Sequence, residues 1–185
     1  MRFFNPFQVL LSWRLIFCVV LSVICVACST APTKSSTSNE TVNTEAWPAW
    51  SREVLLNALS LKGTKYKYGG SSPETGFDCS GFVQYVFKQS VNLALPRNTF
   101  AQSQLGTAIA KQDLQAGDLV FFNTVKNTIS HVGIYMGDNR FIHAPNTRGQ
   151  VRIEPMVGYW AQRYSGAQRL ENEVNLAQQN ASNLP

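Results

Sequence analysis

One thiol and two imidazoles, far apart in this chain, are the parts of a cysteine nucleophile. Cys79 lies in the run GFDCSG at positions 76–81, and His131 and His143, the chain's only two histidines, follow in strand-like segments. In such a site the thiolate attacks, one imidazole takes up its proton, and a second polar side chain orients that imidazole. The three residues therefore predict nucleophilic catalysis, provided that the fold brings them together.

The surroundings of Cys79 favour a reactive rather than a structural cysteine. Apolar residues at helical spacing begin just after it, so Cys79 is predicted to lie at the start of a helix. The partial positive charge and free N–H groups of a helix N-terminus stabilise a thiolate and can donate to an oxyanion. A buried, inert cysteine is the alternative. The polar neighbours Asp78 and Ser80 argue against it.

The two histidines are predicted to share one face of a hairpin whose turn includes residues 137–139. With a three-residue loop, Tyr135 pairs with Phe141, and His131 and His143 fall on the same face. A two-residue turn would instead place His143 on the other face. That other face is apolar throughout, which favours the three-residue loop, because it carries Val132, Ile134, Ile142 and Ala144.

Two rival interpretations come from other classes of protein. Cys79, His131 and His143 could be three ligands of a zinc ion, although zinc cysteines usually come in close pairs. The chain could also be a binding module for the cell wall without enzymatic activity. Inactivation by a thiol alkylator, together with insensitivity to chelators, would distinguish the catalytic site from the zinc site.

Helical patterns come first in the chain and strand patterns follow. Helices are predicted at 50–59 with Ser51 as N-cap, from Cys79 onward, and over a short segment capped by Thr99. This order predicts an α+β fold with helices packed on a small antiparallel sheet. The predicted strands are 119–122, 132–135, 140–143, 151–153 and 166–169.

The first 27 residues are predicted to be a secretory leader rather than part of the fold. Arg2 and Arg14 precede an uncharged run at 15–27. That run is shorter than the roughly 20 residues of a membrane-spanning helix, but it suits a signal segment. An uncleaved anchor starting at Phe7 is the alternative, and Arg14 interrupts it.

The leader ends in a motif that resembles the lipobox of bacterial lipoproteins. Residues 26–29 read Val-Ala-Cys-Ser, with Cys25 where leucine is usual, so Cys28 is the expected site of lipidation. Ser29 resembles the residue found in lipoproteins sent to the outer membrane. The remaining predicted segments are a flexible tether at 28–46, one folded domain at 47–170, and a polar tail at 171–185 that is expected to be disordered.

Charge and cysteine usage narrow the function further. Cys18 and Cys25 leave with the leader and Cys28 is acylated, so Cys79 is a lone thiol and a structural disulfide is excluded. The formal charge of +5 falls to +3 without the two arginines of the leader. Because no dense stripe of Lys and Arg is present, we expect no nucleic-acid partner.

Six ordered sequence blocks together resemble the NlpC family of bacterial cell-wall cysteine peptidases. The match runs from about Leu61 to Leu170, nearly the whole of the predicted domain. Taken together the blocks are highly specific, whereas one block alone is not. They are YKYGG at 66–70, GFDCSG at 76–81, LPR at 95–97, GDLVFF at 117–122, HVGIY at 131–135 and FIHA at 141–144.

The resemblance implies a reduced papain-like fold of the α+β class and a role for each matched residue. Cys79 is then the nucleophile, His131 the general base and acid that pairs with it as thiolate and imidazolium, and His143 the orienting residue. Arg97 and Asp118 match recurrent positions and are expected to have capping or structural roles. Three further residues match positions that contact substrate or the oxyanion: Tyr66, Asp78 and Ser80.

By the same resemblance the substrate is the stem peptide of peptidoglycan, with no metal or organic cofactor. A tethered single domain favours a D,D-endopeptidase that cuts D-alanyl–diamino-acid crosslinks. A γ-D-glutamyl–diamino-acid peptidase of the same fold is the alternative. The expected location is the bacterial cell envelope, most simply the inner leaflet of the outer membrane, where a monomer would be held by its lipid.

Overall fold

A computed structural model describes residues 47–125, 128–146 and 149–183. The predicted leader, Cys28 and the predicted tether lie outside these ranges. Among the residues that are described, no helix is long and apolar enough to cross a membrane.

Within these ranges the chain forms five α-helices and eight strands. The helices are α1 Ala49–Ser60, α2 Cys79–Val91, α3 Thr99–Gln102, α4 Gly158–Arg163 and α5 Glu171–Ser182. The strands are β1 Ser71–Ser72, β2 Gly76–Phe77, β3 Thr107–Ala108, β4 Leu119–Phe122, β5 His131–Gly137, β6 Arg140–His143, β7 Arg152–Pro155 and β8 Tyr164–Arg169.

The strands confirm the predicted α+β class. Six of them form one antiparallel sheet in the order β3-β8-β4-β5-β6-β7, and β1 pairs with β2 in a separate ribbon. One face of the large sheet packs with α1 and α2 in the main core, which includes Val54, Phe82, Val86, Val132 and Ile134. The other face carries a second apolar cluster of Val120, Phe122, Phe141, Met156 and Ala167.

Two of the predicted helix caps are wrong by one or more residues. The first helix begins at Ala49, and Ser51 lies buried in its first turn with its hydroxyl donating to the carbonyl of Pro48 at 3.0 Å. Asn98, not Thr99, caps α3, because its side-chain oxygen accepts the N–H of Ala101 at 2.8 Å. Both cases show a hydroxyl residue just inside a helix, where its oxygen serves a packing or site contact instead of the cap.

The hairpin has the predicted facing residues but not the predicted turn. Tyr135 does pair with Phe141. The turn, however, consists of the two residues Asp138 and Asn139, whose φ angles of 51° and 55° suit a tight primed turn. A register shift between Tyr135 and Gly137 takes up the odd residue. The histidines therefore stay on one face through a bulge, not through a longer loop.

The predicted disordered tail is instead a helix, α5. Leu170 and Val174, one helical turn apart, are both fully buried and belong to the main core. Glu171 and Glu173 lie in the first turn, where their charge suits the positive end of the helix dipole. Val174 is the buried residue of this mostly polar helix and packs it on the main core. A single buried apolar residue forms no periodic pattern from which the helix could be predicted.

Candidate active site

The nucleophile candidate, Cys79, is the first residue of α2. Asp78 is the N-cap, and its Oδ1 accepts the backbone N–H of Gly81 at 2.8 Å. The extended conformation of Asp78 ends the β2 segment and lets the helix start at the cysteine. Gly81 is required for packing, because a Cβ there would lie 2.2 Å from the carbonyl oxygen of Gly70.

Both carboxylate oxygens of Asp78 accept hydrogen bonds. Arg97 donates from Nη1 to Oδ1 at 2.8 Å and from Nη2 to Oδ2 at 2.7 Å, which is a bidentate ion pair. The N–H of Gly69 also donates to Oδ2, at 2.9 Å. Arg97 further binds the Ser80 hydroxyl at 3.0 Å and the Gly70 carbonyl at 3.1 Å. Arg97 thus fixes the loop before α2, as its expected structural role requires.

The thiol of Cys79 contacts the hydroxyl of Thr99, which was predicted only as a helix cap and not as a site residue. Its Sγ lies 3.7 Å from Oγ1 of Thr99 on α3. The backbone N–H groups of Ser80 and Val132 also face the sulfur closely enough to lower its pKa. Val132 directly follows His131, so the start of β5 lies beside the thiol. In the described residues, no imidazole is within hydrogen-bond distance of Sγ, and such contacts often tighten only when substrate binds.

The two imidazoles are brought together as predicted. His131 Nε2 lies 2.7 Å from His143 Nδ1, and the ring planes are nearly perpendicular at 89°. One hydrogen lies between these two nitrogens. His131 therefore keeps Nδ1 as its other ring nitrogen, free to exchange a proton elsewhere.

Trp160 on α4 covers both imidazoles. Its ring stacks on His131 with centroids 5.2 Å apart and meets His143 edge-on at 4.9 Å. Its Nε1 donates to Oε2 of Glu154. Phe122 and Phe141 pack against the same indole, with ring centroids at 4.9 and 5.1 Å, so aromatic rings surround much of the buried histidine pair.

Burial favours the neutral forms of the thiol and of both histidines. It raises the pKa of Cys79 above its ordinary value, an effect that Thr99 partly opposes. Burial lowers the pKa of His131 to about 4, and burial with the neighbouring charges of His131 and Arg152 lowers that of His143 to about 2. The helix N-terminus acts in the opposite direction on the thiol. Burial therefore acts against the expected thiolate and imidazolium, whereas the hydrogen-bond donors near the sulfur act in favour of the thiolate.

Tyr66 and His131 line two neighbouring clefts that share Arg152. Burial raises the pKa of Tyr66, and the charges of Cys79 and Asp78 add to that rise, so the tyrosine is close to the thiol. Tyr66 lines a cleft of about 510 Å³ together with Lys65 and Arg152. Arg152 also lines a second cleft, of about 310 Å³, with His131, Glu154 and Trp160.

The comparisons with known proteins match this geometry. The family model described as "NlpC/P60 family" matches residues 63–169, more than half of the chain. The chain belongs to the NlpC/P60 family. An NlpC/P60 protein from Bacillus cereus has a similar solved structure, with a TM-score of 0.61 and 35% identity, covering 66% of this chain and 40% of that one.

Two curated NlpC/P60 relatives carry different names. The murein DD-endopeptidase MepS/murein LD-carboxypeptidase of Escherichia coli is 42% identical over 117 residues, which are 63% of this chain and 61% of that protein. The γ-DL-glutamyl hydrolase of Bacillus subtilis is 43% identical over 120 residues, 64% of this chain and 29% of that protein. The chain spans less than two thirds of the length of either relative.

The structure brings the predicted residues of the NlpC/P60 site to one region. Cys79, Tyr66, Asp78 and Ser80 lie around the start of α2, beside the strand that begins with His131. Three side chains that contact these residues were not predicted as site residues from the sequence. They are Thr99 on the thiol, and Glu154 and Trp160 behind the histidines. A signal existed for Glu154 alone, since its alternation with Arg152 places both on one face of a strand.

A zinc site formed by Cys79, His131 and His143 does not match the observed arrangement. Over residues 47–125, 128–146 and 149–183, no group of three His, Cys, Asp or Glu side chains is placed to hold a metal ion. The histidines of this NlpC/P60 chain instead turn a nitrogen towards each other.

Proposed function

We propose that the chain is a cysteine peptidase that hydrolyses an amide bond of peptidoglycan stem peptides. The observation that carries this proposal is the pair of imidazoles, whose facing nitrogens are 2.7 Å apart. One of them, His131, begins the strand whose Val132 N–H faces the Cys79 thiol. A helix-terminal thiol with a base and an orienting residue is the arrangement that acyl transfer needs.

In the proposed reaction, His131 takes the thiol proton on Nδ1 as Sγ attacks the amide carbonyl. Helix N–H groups at Cys79 and Ser80, with Tyr66, donate to the oxyanion. His131 then gives the proton to the leaving amine, leaving a thioester on Cys79. A water molecule, deprotonated by His131, hydrolyses the thioester and restores the thiol. Since burial favours a neutral Cys79–His131 pair, proton transfer accompanies attack and does not precede it.

Two charged side chains support an anionic substrate. Lys65 and Arg152 lie beside Tyr66 in the cleft of about 510 Å³. Stem peptides carry free carboxylates on their D-glutamyl and diamino-acid residues, and cations in a cleft raise the local concentration of such substrates. The relatives named for murein and for γ-glutamyl bonds are equally similar to this chain, so both specificities must be considered.

The state of Asp78 favours cleavage of crosslinks. In some members of the family, the residues at this position and at Ser80 contact a substrate amino group. Here Arg97 neutralises the Asp78 carboxylate and, with Gly69 and Gly81, occupies its oxygens. Asp78 is therefore poorly placed to bind a free amine, which supports a D,D-endopeptidase over a γ-D-glutamyl peptidase that would recognise a stem-peptide N-terminus.

Digestion of purified muropeptides followed by mass spectrometry tests the bond that is cut. Loss of crosslinked dimers with gain of tetrapeptide monomers is the expected result, and dipeptide-capped products would instead support the γ-D-glutamyl activity. Cys79→Ala should abolish all cleavage while the circular dichroism spectrum and melting temperature stay unchanged. Binding to sacculi with no cleavage by either protein would leave only a wall-binding module.

We also propose that a lipid on Cys28 holds the protein at the outer membrane of the cell envelope. The sequence at 26–29 supports this, and several acyl chains on one residue suffice for durable anchoring. Labelling with a palmitate analogue should mark the chain, and Cys28→Ala should lose both the label and the recovery in the outer-membrane fraction. Label retained by Cys28→Ala would contradict the anchor.

A further inference from the structure

The second ring nitrogen of His143 is buried and has no hydrogen-bond partner among the described residues. The side chain is fully inaccessible to solvent, and its Nδ1 is already engaged with His131. The Glu154 carboxylate lies close to Nε2, with its Oε2 at 3.7 Å. An orphaned ring nitrogen next to a carboxylate needs an explanation, because buried polar groups are rarely left without a partner.

Glu154 is held firmly in this place. It lies on β7 opposite Phe141, and Arg152 lies opposite His143, so both charged side chains share the face of the histidine pair. The Arg152 Nε donates to Oε1 at 2.5 Å, and the Trp160 Nε1 donates to Oε2. Two donors from different elements thus fix the carboxylate beside the buried imidazole.

The hydrogen between the two imidazoles can be placed in two ways, and only one supports catalysis. If His131 Nε2 carries it, His143 carries its own hydrogen on Nε2, and His131 Nδ1 has the lone pair that accepts the thiol proton. If His143 Nδ1 carries it, the His143 Nε2 lone pair faces the carboxylate, and His131 has a hydrogen on Nδ1 and cannot act as a base. A negative charge beside His143 Nε2 attracts an N–H and repels a lone pair.

We propose that Glu154 is a positioning residue that sets the tautomer of both histidines, with Trp160 and Arg152 holding it in place. The proposal rests on the proposed peptidase function. It adds a fourth polar group, behind the orienting histidine, through which a charge on β7 prepares His131 Nδ1 to receive the thiol proton. The same logic applies to other metal-free and metal-bound imidazoles, where the partner of one nitrogen decides the chemistry of the other.

Nitrogen-15 NMR of the histidine rings in the full chain tests the proposal without substrate. At pH 7 we expect both neutral rings to carry hydrogen on Nε2. Glu154→Leu should shift His143 towards the Nδ1–H form, because the unpaired charge of Arg152 then attracts the Nε2 lone pair. Glu154→Gln keeps an acceptor oxygen without the charge and should shift the ratio less. Glu53→Gln, an exposed glutamate on α1, is the matched control and should change nothing.

Kinetics on muropeptides give the second readout. Glu154→Leu should lower kcat at least tenfold, and at most the roughly 10⁴-fold that a wrong tautomer causes in a Ser-His-Asp triad, with little change in KM. Glu154→Asp should restore part of kcat. Hydrogen on His143 Nδ1 in the unsubstituted protein would overturn the proposal even if no variant folds. So would an unchanged tautomer in a folded Glu154→Leu. If the unsubstituted chain cleaves nothing, the peptidase function fails, and the NMR result still decides the tautomer.

Discussion

Mild acid should destabilise this protein through its two histidines. The folded state holds both imidazoles neutral, with the pKa of His131 lowered to about 4 and that of His143 to about 2, against an ordinary 6.5. As the pH falls below 6.5, both histidines therefore become protonated in the unfolded chain but stay neutral in the folded chain. Their contribution to stability is fully present above pH 6.5 and is lost as the pH falls towards the folded pKa values.

The size of the effect follows from linkage. Each histidine that protonates only in the unfolded state lowers the free energy of unfolding by about 1.4 kcal/mol per pH unit. Between pH 7.5 and 5 the loss is roughly 2 kcal/mol per histidine, or about 4 kcal/mol for the pair. Small domains are stable by only about 5–15 kcal/mol, so such a loss is easily measured. Carboxylates titrate mainly below this window.

Urea unfolding at half-unit steps from pH 7.5 to 5 measures the predicted loss. The chain has no other histidine, so His131→Asn should remove about half of the pH dependence, and the double variant with His143→Asn should be nearly flat. Glu53→His adds an exposed imidazole to α1 as a control and should add no dependence. A stability that changes by less than about 1 kcal/mol in the unsubstituted protein would refute neutral burial of the pair.

Three further predictions concern the thiol, the loop before it and the hairpin. The rate of alkylation of Cys79 by iodoacetamide should increase mainly above pH 9, and Thr99→Val should move that increase to still higher pH. A fast rate that is constant from pH 5 to 8 would instead show a thiolate–imidazolium pair. Arg97→Ala should lower the free energy of unfolding in urea by about 1–3 kcal/mol, because Asp78 loses its two charged donors. Arg97→Lys should be intermediate between Arg97→Ala and the unsubstituted protein, and equal stability of the three proteins would contradict this. Gly133→Ala should lower both activity and melting temperature, since the new Cβ would lie 2.6 Å from Phe141; an unchanged melting temperature would argue against that close contact.

The hairpin shows how much a hydrophobic pattern predicts about this site. Alternation on two short segments was enough to put His131 and His143 on one face, because a slip by one residue would have buried an imidazole in the main core. The pattern does not specify how the chain achieves that register. Asp138 and Asn139 both tolerate positive φ, which permits a two-residue turn whose twist suits the strands, and the extra residue is absorbed as a bulge.

The protonation of Cys79 and His131 was harder to predict from the sequence than their positions. A helix N-terminus at Cys79 was predicted correctly, and it favours a thiolate. Burial of the sulfur and of His131 acts against both charges, however, and burial depends on long-range packing by residues such as Trp160. A motif specifies which groups meet, whereas the surrounding side chains determine their protonation.

The place of Glu154 beside His143 could not be predicted from the sequence, because it depends on how two strands pair. The predicted strand ends at residue 153, one residue short of Glu154, whereas the observed β7 holds Arg152 and Glu154 on one face. Their distance from His143 depends on the register of β6 with β7. The connection between these strands is too long for a turn type to fix that register, unlike the two-residue turn before it. Once the register is known, a glutamate on the inward face of a strand beside a histidine is unusual enough to suggest a role, because an uncompensated charge there would be costly. Glu154 accepts hydrogen bonds from the Trp160 N–H and the Arg152 guanidinium. Its negative charge also lies 3.7 Å from the buried Nε2 of His143, where it favours an N–H over a lone pair.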